Sequence, residues 1–302
     1  MFEAFAGIGA QHAALKRLGI DFEVVGMSEW FFYALECYAK LHVDPNKQIR
    51  VPKSRSRLEK YLSKFTFSKD SVHPAKLSQF TYDELRSLYR ANKVCKNYGS
   101  ITEIQPADLP TMDLLVYSFP CQDLSTGGLG KGMKKGSGTR SGLLWEIQRI
   151  LDGLAALNRL PEYLLMENVT TIKADSNVDD LNEWLDYLKS IGYYSDQCMI
   201  LNARDFGVPQ DRTRAFILSH KGSLVSIAKR VDEQKLKRQY NIHDFIKDDY
   251  EESPVHRAEA DEAQLNRTPS REVMWDINGM EINDNTVVRT ITCNMDRTHC
   301  AA

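Results

Sequence analysis

The 302-residue sequence lacks the features of several protein classes. Its six cysteines are scattered with no Cys-x-x-Cys pair, which argues against a disulfide framework and against a thiolate zinc site. It has no run of eighteen or more apolar residues and no recognisable secretory signal, so neither a membrane span nor export is predicted. We therefore expect a cytoplasmic protein with reduced thiols, no metal and no membrane contact.

Net charge is also nearly absent, at −2, but it is unevenly distributed. Residues 44–98 hold 13 Lys and Arg against 5 Asp and Glu, whereas residues 222–302 hold 11 against 15. A basic block on an otherwise acidic chain is able to face the phosphates of a nucleic acid. It is equally compatible with a solvated surface insertion, and charge alone does not separate the two.

Short apolar runs alternate with helical patterns through most of the chain. This alternation predicts an α/β fold with a Rossmann-like, mostly parallel sheet and helices on both faces. The pattern decays after about Gly222, so we predict a main domain over 1–221 and a small second region over 222–302. The predicted strands are 1–5, 22–27, 114–118, 163–166 and 215–219, with helices at 10–18 and 30–41.

A turn containing two glycines, residues 5–9 (Phe-Ala-Gly-Ile-Gly), follows the first predicted strand and opens a helix. Glycines let the backbone approach a ligand closely, and a helix N-terminus offers free N–H groups. Glu29 ends the second predicted strand, where a carboxylate is able to bind ribose hydroxyls, and Trp30 beside it is able to stack on an adenine. A helix-capping Glu and an ordinary buried Trp would explain the same residues, so this signal is weak alone.

Cys121 follows a predicted strand and comes directly after Pro120, which stiffens the turn. The position suits a nucleophile, although free cysteines are more often inert core residues. The following segment, 126–142, contains seven glycines and four basic residues. This composition is typical of a lid that closes on nucleic acid, and a flexible linker is the alternative.

Two further polar segments lie at predicted strands. Glu-Asn-Val at 167–169 ends the strand at 163–166, which predicts a carboxylate in the same crevice as Cys121. Gln-Asp-Arg-Thr-Arg at 210–214 leads into the strand at 215–219, and the strand period of two would place Gln210, Arg212 and Arg214 on one face. The arginines could pair with carboxylates or hold a base oxygen, and the sequence does not choose.

Taken in order, these motifs resemble those of the cytosine-C5 DNA methyltransferase family. Its hallmarks are Phe-x-Gly-x-Gly, an acidic-Trp pair, Pro-Cys-Gln, Glu-Asn-Val and Gln-x-Arg-x-Arg, and all five are present over residues 1 to about 219. The run 118–146 is especially similar to mollicute CpG-type enzymes. The resemblance implies a bacterial or phage-encoded enzyme that transfers a methyl group from S-adenosylmethionine to carbon 5 of cytosine in double-stranded DNA.

The resemblance also implies residue roles. Cys121 would attack carbon 6 of a flipped-out cytosine, Glu167 would contact N3, and Arg214 with Arg212 would hold O2. Ser100 stands where the family usually has an acidic residue for the adenine amino group. Implied cofactor contacts are Phe5, Ala6, Gly7, Ile8, Gly9, Glu29, Trp30, Ser100, Ile101, Pro120 and Leu143. Implied nucleic-acid contacts are Gln122, Ser125, Lys131, Lys134, Lys135 and Arg140.

The sequence ends without the family's last two blocks, including its Gly-Asn-x-Val segment. We therefore expect 222–302 to be a short, truncated target-recognition region, which a separate C-terminal chain could complete. Two other functions remain open. One is an RNA cytosine-C5 methyltransferase that uses the same nucleophile, and the other is an inactive or split homologue that only binds nucleic acid or a partner.

Overall fold

The structure, a computed structural model, describes residues 1–120 and 141–235, together with 254–255, 257–258 and 288–289. The chain divides into two compact units. The first comprises Met1–Met199 and Ala215–Ser226, and the second comprises Ile200–Arg214 and Ile227–Ala302. Several predicted site residues lie outside the described residues, namely Cys121, Gln122, Ser125, Lys131, Lys134, Lys135 and Arg140.

Helices and strands alternate along the described chain. The helices are α1 (Ala10–Arg17), α2 (Phe32–His42), α3 (Arg55–Leu62), α4 (Tyr82–Val94), α5 (Leu144–Ala156), α6 (Val178–Ser190) and α7 (Ala228–Glu233). The strands are β1 (Phe2–Ala4), β2 (Gly26–Ser28), β3 (Leu114–Tyr117), β4 (Tyr163–Asn168), β5 (Tyr193–Ser195), β6 (Met199–Asn202), β7 (Gln210–Asp211), β8 (Thr213–Lys221) and β9 (Val288–Arg289). Within the described part of the chain, no helix is long and apolar enough to cross a membrane.

The sheet of the first unit has the strand order β2-β1-β3-β4-β8-β5. β1 pairs in parallel with both β2 and β3, and β3 pairs in parallel with β4. β8 runs antiparallel to β4 and to β5. The predicted mostly parallel sheet is confirmed. Because β1 has its sequence successor β2 on one side and β3 on the other, the carboxyl ends of β1 and β3 flank a topological switch point, where ligands bind in such sheets.

Helices cover both faces of this sheet, as predicted. On one face, α5 and α6 pack around Tyr117, Met166 and Trp184, all of them buried. On the other face, Tyr38 of α2 donates a hydrogen bond to the buried carboxylate of Glu3 in β1. The apolar side chains of α5 recur at three- and four-residue spacing, so one helix face supplies its contribution to the core.

Residues 44–98 contain two helices, α3 and α4, that pack within the first unit. α3 buries Leu58 and Leu62, and α4 buries Leu85 and Leu88, in a second core shared with α2. Six of the thirteen basic residues of this region lie in α3 and α4, and all six are at least partly exposed. Part of the charge surplus therefore belongs to amphipathic helices whose apolar sides are packed.

Candidate active site

The loop after β1, Phe5–Gly9, turns sharply between the strand and α1. Phe5 and Gly7 have φ angles of 56° and 54°. A left-handed backbone is unusual and strained for a bulky residue such as Phe5, and such strain is concentrated at functional sites. The loop is held by the N–H of Ala6, which donates to the carbonyl of Ser28 at 3.0 Å. A Cβ on Gly7 would meet nothing within 4 Å, so a ligand is able to approach the backbone here.

Glu29, directly after β2, holds this loop through its carboxylate. Oε2 accepts the N–H of Gly7 at 2.8 Å, and Oε1 accepts the N–H of Phe31 at 2.6 Å. Burial raises the pKa of Glu29, and these backbone donors oppose the rise. Each carboxylate oxygen has more than one acceptor site, so lone pairs remain for a ligand's hydroxyl groups. The loop and Glu29 together therefore fit the ribose end of an adenosyl cofactor.

Asn97 is a buried site residue that the sequence motifs did not reveal. Its Oδ1 accepts the N–H of Glu29 at 2.9 Å, and its Nδ2 donates to the carbonyl of Glu29 at 2.9 Å. The side chain thus takes the place of a strand partner just beyond β2 and fixes the Glu29 backbone. The residue lies in a short irregular segment after α4, where no periodic pattern would have predicted its role.

The other predicted cofactor residues are distributed between loop surface and core. Ile8 is exposed, Phe5, Gly7, Trp30, Ser100, Pro120 and Leu143 are half-buried, and Ala6, Gly9 and Ile101 are buried. The Oγ of Ser100 lies 2.9 Å from the Oγ1 of Thr102. The side chain of Ile101 is only 4 % exposed and packs in the first core, while its carbonyl accepts from Arg149 at 3.0 Å. Their contact with a cofactor stays a prediction.

The ends of β3 and β4 bring Glu167 close to the segment that precedes Cys121. The register pairs the last residue of β3 with Met166, so Glu167 follows at the carboxyl end of β4. Because β4 alternates, Glu167 is half-buried on one face and Asn168 is buried on the other. Asn168 Nδ2 donates to the carbonyl of Phe119 at 3.1 Å. This bond, which the motifs did not predict, ties the two strand ends together two residues before Cys121.

A second polar contact connects the glycine loop with β3. Gln11, in the first turn of α1, donates from Nε2 to the Oγ of Ser118 at 3.2 Å. Since β1 and β3 are neighbours in the sheet, this contact lies at the same edge as the loop. The structure therefore brings the predicted cofactor turn, Glu29 and Glu167 to one edge of one sheet.

The predicted pair of arginines, Arg212 and Arg214, belongs to the second unit. The expected single strand is interrupted, because the N–H of Arg212 donates to the carbonyl of Gln210 at 3.0 Å in a tight turn between β7 and β8. The strand period of two therefore does not run through Gln210, Arg212 and Arg214, and the expectation that it places them on one face is corrected. Arg214 Nη1 donates to the carbonyl of Thr213 at 2.7 Å.

These features define an α/β protein with a glycine turn and a carboxylate clamp at one strand end, and a second carboxylate where the next strands meet. The chain belongs to the C-5 cytosine-specific DNA methylase family, whose model matches residues 80–297. The family prediction is confirmed.

Individual relatives of the chain are methyltransferases by name. The chain is 43 % identical over 237 residues to the orphan methyltransferase M.SssI of Spiroplasma monobiae, aligned over 76 % of this chain and 61 % of that protein. It is 39 % identical over 224 residues to the type II methyltransferase M2.ScrFI of Lactococcus lactis subsp. cremoris, over 72 % of this chain and 60 % of that protein. The chain spans about three fifths of the length of these relatives. The predicted likeness to mollicute methyltransferases is confirmed.

The fold has a counterpart among solved structures. A Dnmt2 methyltransferase of S. pombe superposes with a TM-score of 0.53 at 18 % identity, covering 92 % of this chain and 65 % of that chain. At this identity the likeness shows the shared fold. The predicted fold class is confirmed.

The bond between Asn168 and Phe119 leads to a first prediction. Asn168→Asp replaces the Nδ2 donor with an oxygen that repels the Phe119 carbonyl, so the segment leading to Cys121 should shift. Because small displacements of reacting groups slow catalysis, we expect methyl transfer to fall roughly 10- to 100-fold, with a smaller loss of cofactor affinity through Pro120 in the same segment. Single-turnover rates and calorimetric titration measure the two quantities.

Asn177→Asp is the matched control. Asn177 is also buried, and its Nδ2 donates to the carbonyl of Thr171 at 2.9 Å, outside the strand ends that form the candidate site. Both variants should lose stability, but only Asn168→Asp should lose turnover. Equal turnover in the two variants would remove Asn168 from the site.

Proposed function

We propose that this chain methylates carbon 5 of cytosine in double-stranded DNA, as its family membership suggests. The observation that carries the proposal is the arrangement at one sheet edge. The Gly7–Glu29 clamp lies at the ends of β1 and β2, and Glu167 lies at the end of β4 beside the segment that enters Cys121. A cofactor site and a reacting site on neighbouring strands are what a group transfer between two bound molecules requires.

The proposed cofactor is S-adenosylmethionine. Glu29 would accept hydrogen bonds from its ribose hydroxyls, and the open backbone of Gly7 would lie along its methionine part. Trp30, Ser100 and Ile101 would surround the adenine, and Pro120 and Leu143 would complete the pocket. When bound, S-adenosylmethionine supplies the methyl group that carbon 5 receives.

The proposed nucleophile is the thiolate of Cys121, which forms a bond to carbon 6 of cytosine. Glu167 hydrogen-bonds or protonates ring N3, so that negative charge does not accumulate on the base. After carbon 5 has been methylated it loses its proton, and cleavage of the bond between sulfur and carbon 6 returns the Cys121 thiolate. Arg214, with Arg212, holds the cytosine O2.

This chemistry requires the cytosine to leave the base stack, because carbon 6 and N3 are not accessible to side chains inside a duplex. A flipped base would bind at the carboxyl ends of the strands, next to Glu167. Gln122, Ser125, Lys131, Lys134, Lys135 and Arg140, which follow Cys121 in the sequence, are the proposed contacts to the DNA.

Transfer of a radiolabelled methyl group to duplex DNA and, separately, to transfer RNA tests the proposed substrate. We expect label in DNA, recovered as 5-methylcytosine after hydrolysis, and none in transfer RNA. Label in transfer RNA alone would support an RNA enzyme. Label in neither, despite cofactor binding, would support an inactive or split homologue, and a separate C-terminal chain would then be supplied to test the split form.

The outer face of α3 is a candidate surface for DNA phosphates. Arg57 and Lys60 in α3, and Lys64 just after it, are exposed at spacings of three and four residues and form no ion pair within the described chain. By contrast, Lys69 and Lys96 are engaged by carboxylates at 2.7 Å. The unengaged cations are available to replace counterions on a phosphate backbone.

This surface makes a salt-dependence prediction. Changing Arg57, Lys60 and Lys64 to Gln should flatten the slope of log affinity against log salt concentration by about 0.9 for each phosphate that the variant no longer neutralises. Lys69→Gln with Lys96→Gln is the control, because both lysines are already paired. Fluorescence anisotropy with a duplex at several salt concentrations gives the slopes, and an unchanged slope in the triple variant would refute the assignment.

A further inference from the structure

A chain of polar contacts runs behind the glycine loop, on the sheet face covered by α2. The carboxylate of Glu3 in β1 accepts a hydrogen bond from the hydroxyl of Tyr38 in α2. That hydroxyl lies 3.0 Å from Nδ1 of His12 in α1, whose ring stacks on His42 with centroids 4.2 Å apart. Nε2 of His42 lies 2.8 Å from the carbonyl oxygen of Ile8. The contacts join β1, α1 and α2 to one peptide of the loop.

The directions of the hydrogen bonds in this series of contacts follow from the groups at its two ends, the Ile8 carbonyl and the Glu3 carboxylate. A carbonyl oxygen only accepts, so Nε2 of His42 carries the proton donated to Ile8. Tyr38 gives its one proton to Glu3, so it accepts from a protonated Nδ1 of His12. Burial, followed by the charges of His42 and Lys16, lowers the pKa of His12 to about 4, so the ring is neutral near pH 7.

The loop backbone packs directly against the same two side chains of α2. Gly9 has a φ of 80°, and a Cβ there would lie 2.5 Å from Nε2 of His42 and 2.7 Å from the ring of Tyr38. Tyr38 and His42 are four residues apart and therefore lie on the same face of the helix. The loop thus has no room to move toward α2, and the His42 bond fixes the orientation of the peptide between Ile8 and Gly9.

We propose that His42 is a positioning residue for the cofactor-binding loop. By donating to the Ile8 carbonyl it holds Phe5–Gly9 in the strained conformation that presents the loop backbone to the cofactor. Glu3, Tyr38 and His12 support it from behind, because they hold the ring on which His42 stacks. This inference rests on the proposed function, since it assumes that the loop binds S-adenosylmethionine.

Two substitutions at His42 separate a donor role from a packing role. His42→Phe keeps an aromatic ring and removes the donor, whereas His42→Gln removes the ring and keeps an N–H donor. Calorimetry with S-adenosylmethionine should show about tenfold weaker binding for His42→Phe and binding within about threefold of wild type for His42→Gln, as expected for loss of one hydrogen bond from a pre-organised loop. A purely structural packing role predicts the opposite order.

Steady-state kinetics and a second variant complete the test. His42→Phe should raise KM for S-adenosylmethionine and leave kcat at saturation unchanged, because His42 does not touch the reacting atoms. If His42→Phe does not fold, Tyr38→Phe keeps its ring, breaks the support, and should weaken binding in the same direction.

The outcomes distinguish this inference from the proposed function. If wild type binds S-adenosylmethionine and His42→Phe binds it equally well, the inference is overturned and the proposed function stands. If wild type itself does not bind the cofactor, the proposed function fails, and the inference falls with it.

Discussion

Glu167→Gln is expected to reduce methyl transfer to duplex DNA by about 10²- to 10⁴-fold, the range typical of a lost general acid or base. Glutamine has nearly the same shape but cannot donate a carboxyl proton to cytosine N3. Cofactor affinity should stay within about twofold of wild type, because the Gly7–Glu29 clamp lies on other strands of the sheet. Single-turnover rates and calorimetric titration with S-adenosylmethionine measure the two effects separately.

Glu162→Gln is the matched control for this substitution. Glu162 immediately precedes β4 at its amino end, with a side chain that is 58 % exposed and lies 3.4 Å from Nε2 of His220. Ligands in parallel sheets bind at the carboxyl ends of strands, so this carboxylate should be dispensable. A Glu167→Gln variant that turns over at the Glu162→Gln rate would exclude Glu167 from the reaction.

Glu29→Ala is expected to weaken binding of S-adenosylmethionine by about 100-fold or more and to destabilise the fold. The truncation leaves the part-buried N–H groups of Gly7 and Phe31 without their acceptor, and each should cost up to about 1–3 kcal/mol of folding free energy, the range for a fully buried group. Removing a carboxylate whose pKa is raised by burial offsets part of this loss. Thermal unfolding and calorimetry measure the two effects.

Glu29→Gln separates the two roles of this side chain, because it retains one carbonyl oxygen but presents an NH₂ group to the second backbone donor. It should be intermediate in both stability and cofactor affinity. Glu23→Ala, which removes an exposed carboxylate paired with Lys96, is the surface control. A folded Glu29→Ala chain with wild-type affinity for S-adenosylmethionine would show that the clamp does not bind the cofactor.

The apolar runs predicted the bounds of a strand in the first unit well where a neighbouring strand pairs with it along its whole length. The run at 114–118 became β3 (Leu114–Tyr117), but the run at 22–27 became β2 only at Gly26–Ser28. The physical reason lies in β1, which begins at Phe2. Residues 22–25 lie outside β2, and two backbone hydrogen bonds join them to Met1, one from the N–H of Val25 to the carbonyl of Met1 at 2.9 Å and one from the Met1 amino group to the carbonyl of Glu23 at 2.8 Å.

Two aspects of the fold were not predicted from the pattern of apolar and polar residues, namely the direction of β8 and the helices in residues 44–98. The direction of β8 is set by its pairing with β4 and β5, and an apolar run carries no information about strand direction. The helices in residues 44–98 were not predicted, because this region was interpreted from its basic charge and not from its apolar spacing. Leu58 and Leu62 in α3 have helical spacing, but the surrounding lysines and arginines dominated the composition.

The sequence motifs identified Gly7, Glu29 and Glu167 as candidate site residues, and the structure places them at the carboxyl ends of strands in one sheet, while their chemical roles stay predictions. The residues that support these positions could not be predicted, because they act across the fold. Asn97 and Asn168 bond to backbone groups of segments far away in sequence, at Glu29 and Phe119. Such contacts depend on pairing in three dimensions and leave no local pattern.

The most direct test of the central claim uses duplex DNA that contains 5-fluorocytosine, incubated with S-adenosylmethionine and either wild type or Cys121→Ala. Fluorine at carbon 5 cannot leave as a proton does, so an enzyme that attacks carbon 6 stays attached to the base. We predict a denaturation-resistant complex of protein and DNA with wild type and none with Cys121→Ala. The same complex with Cys121→Ala, or none with a wild-type chain that binds both cofactor and DNA, would contradict it.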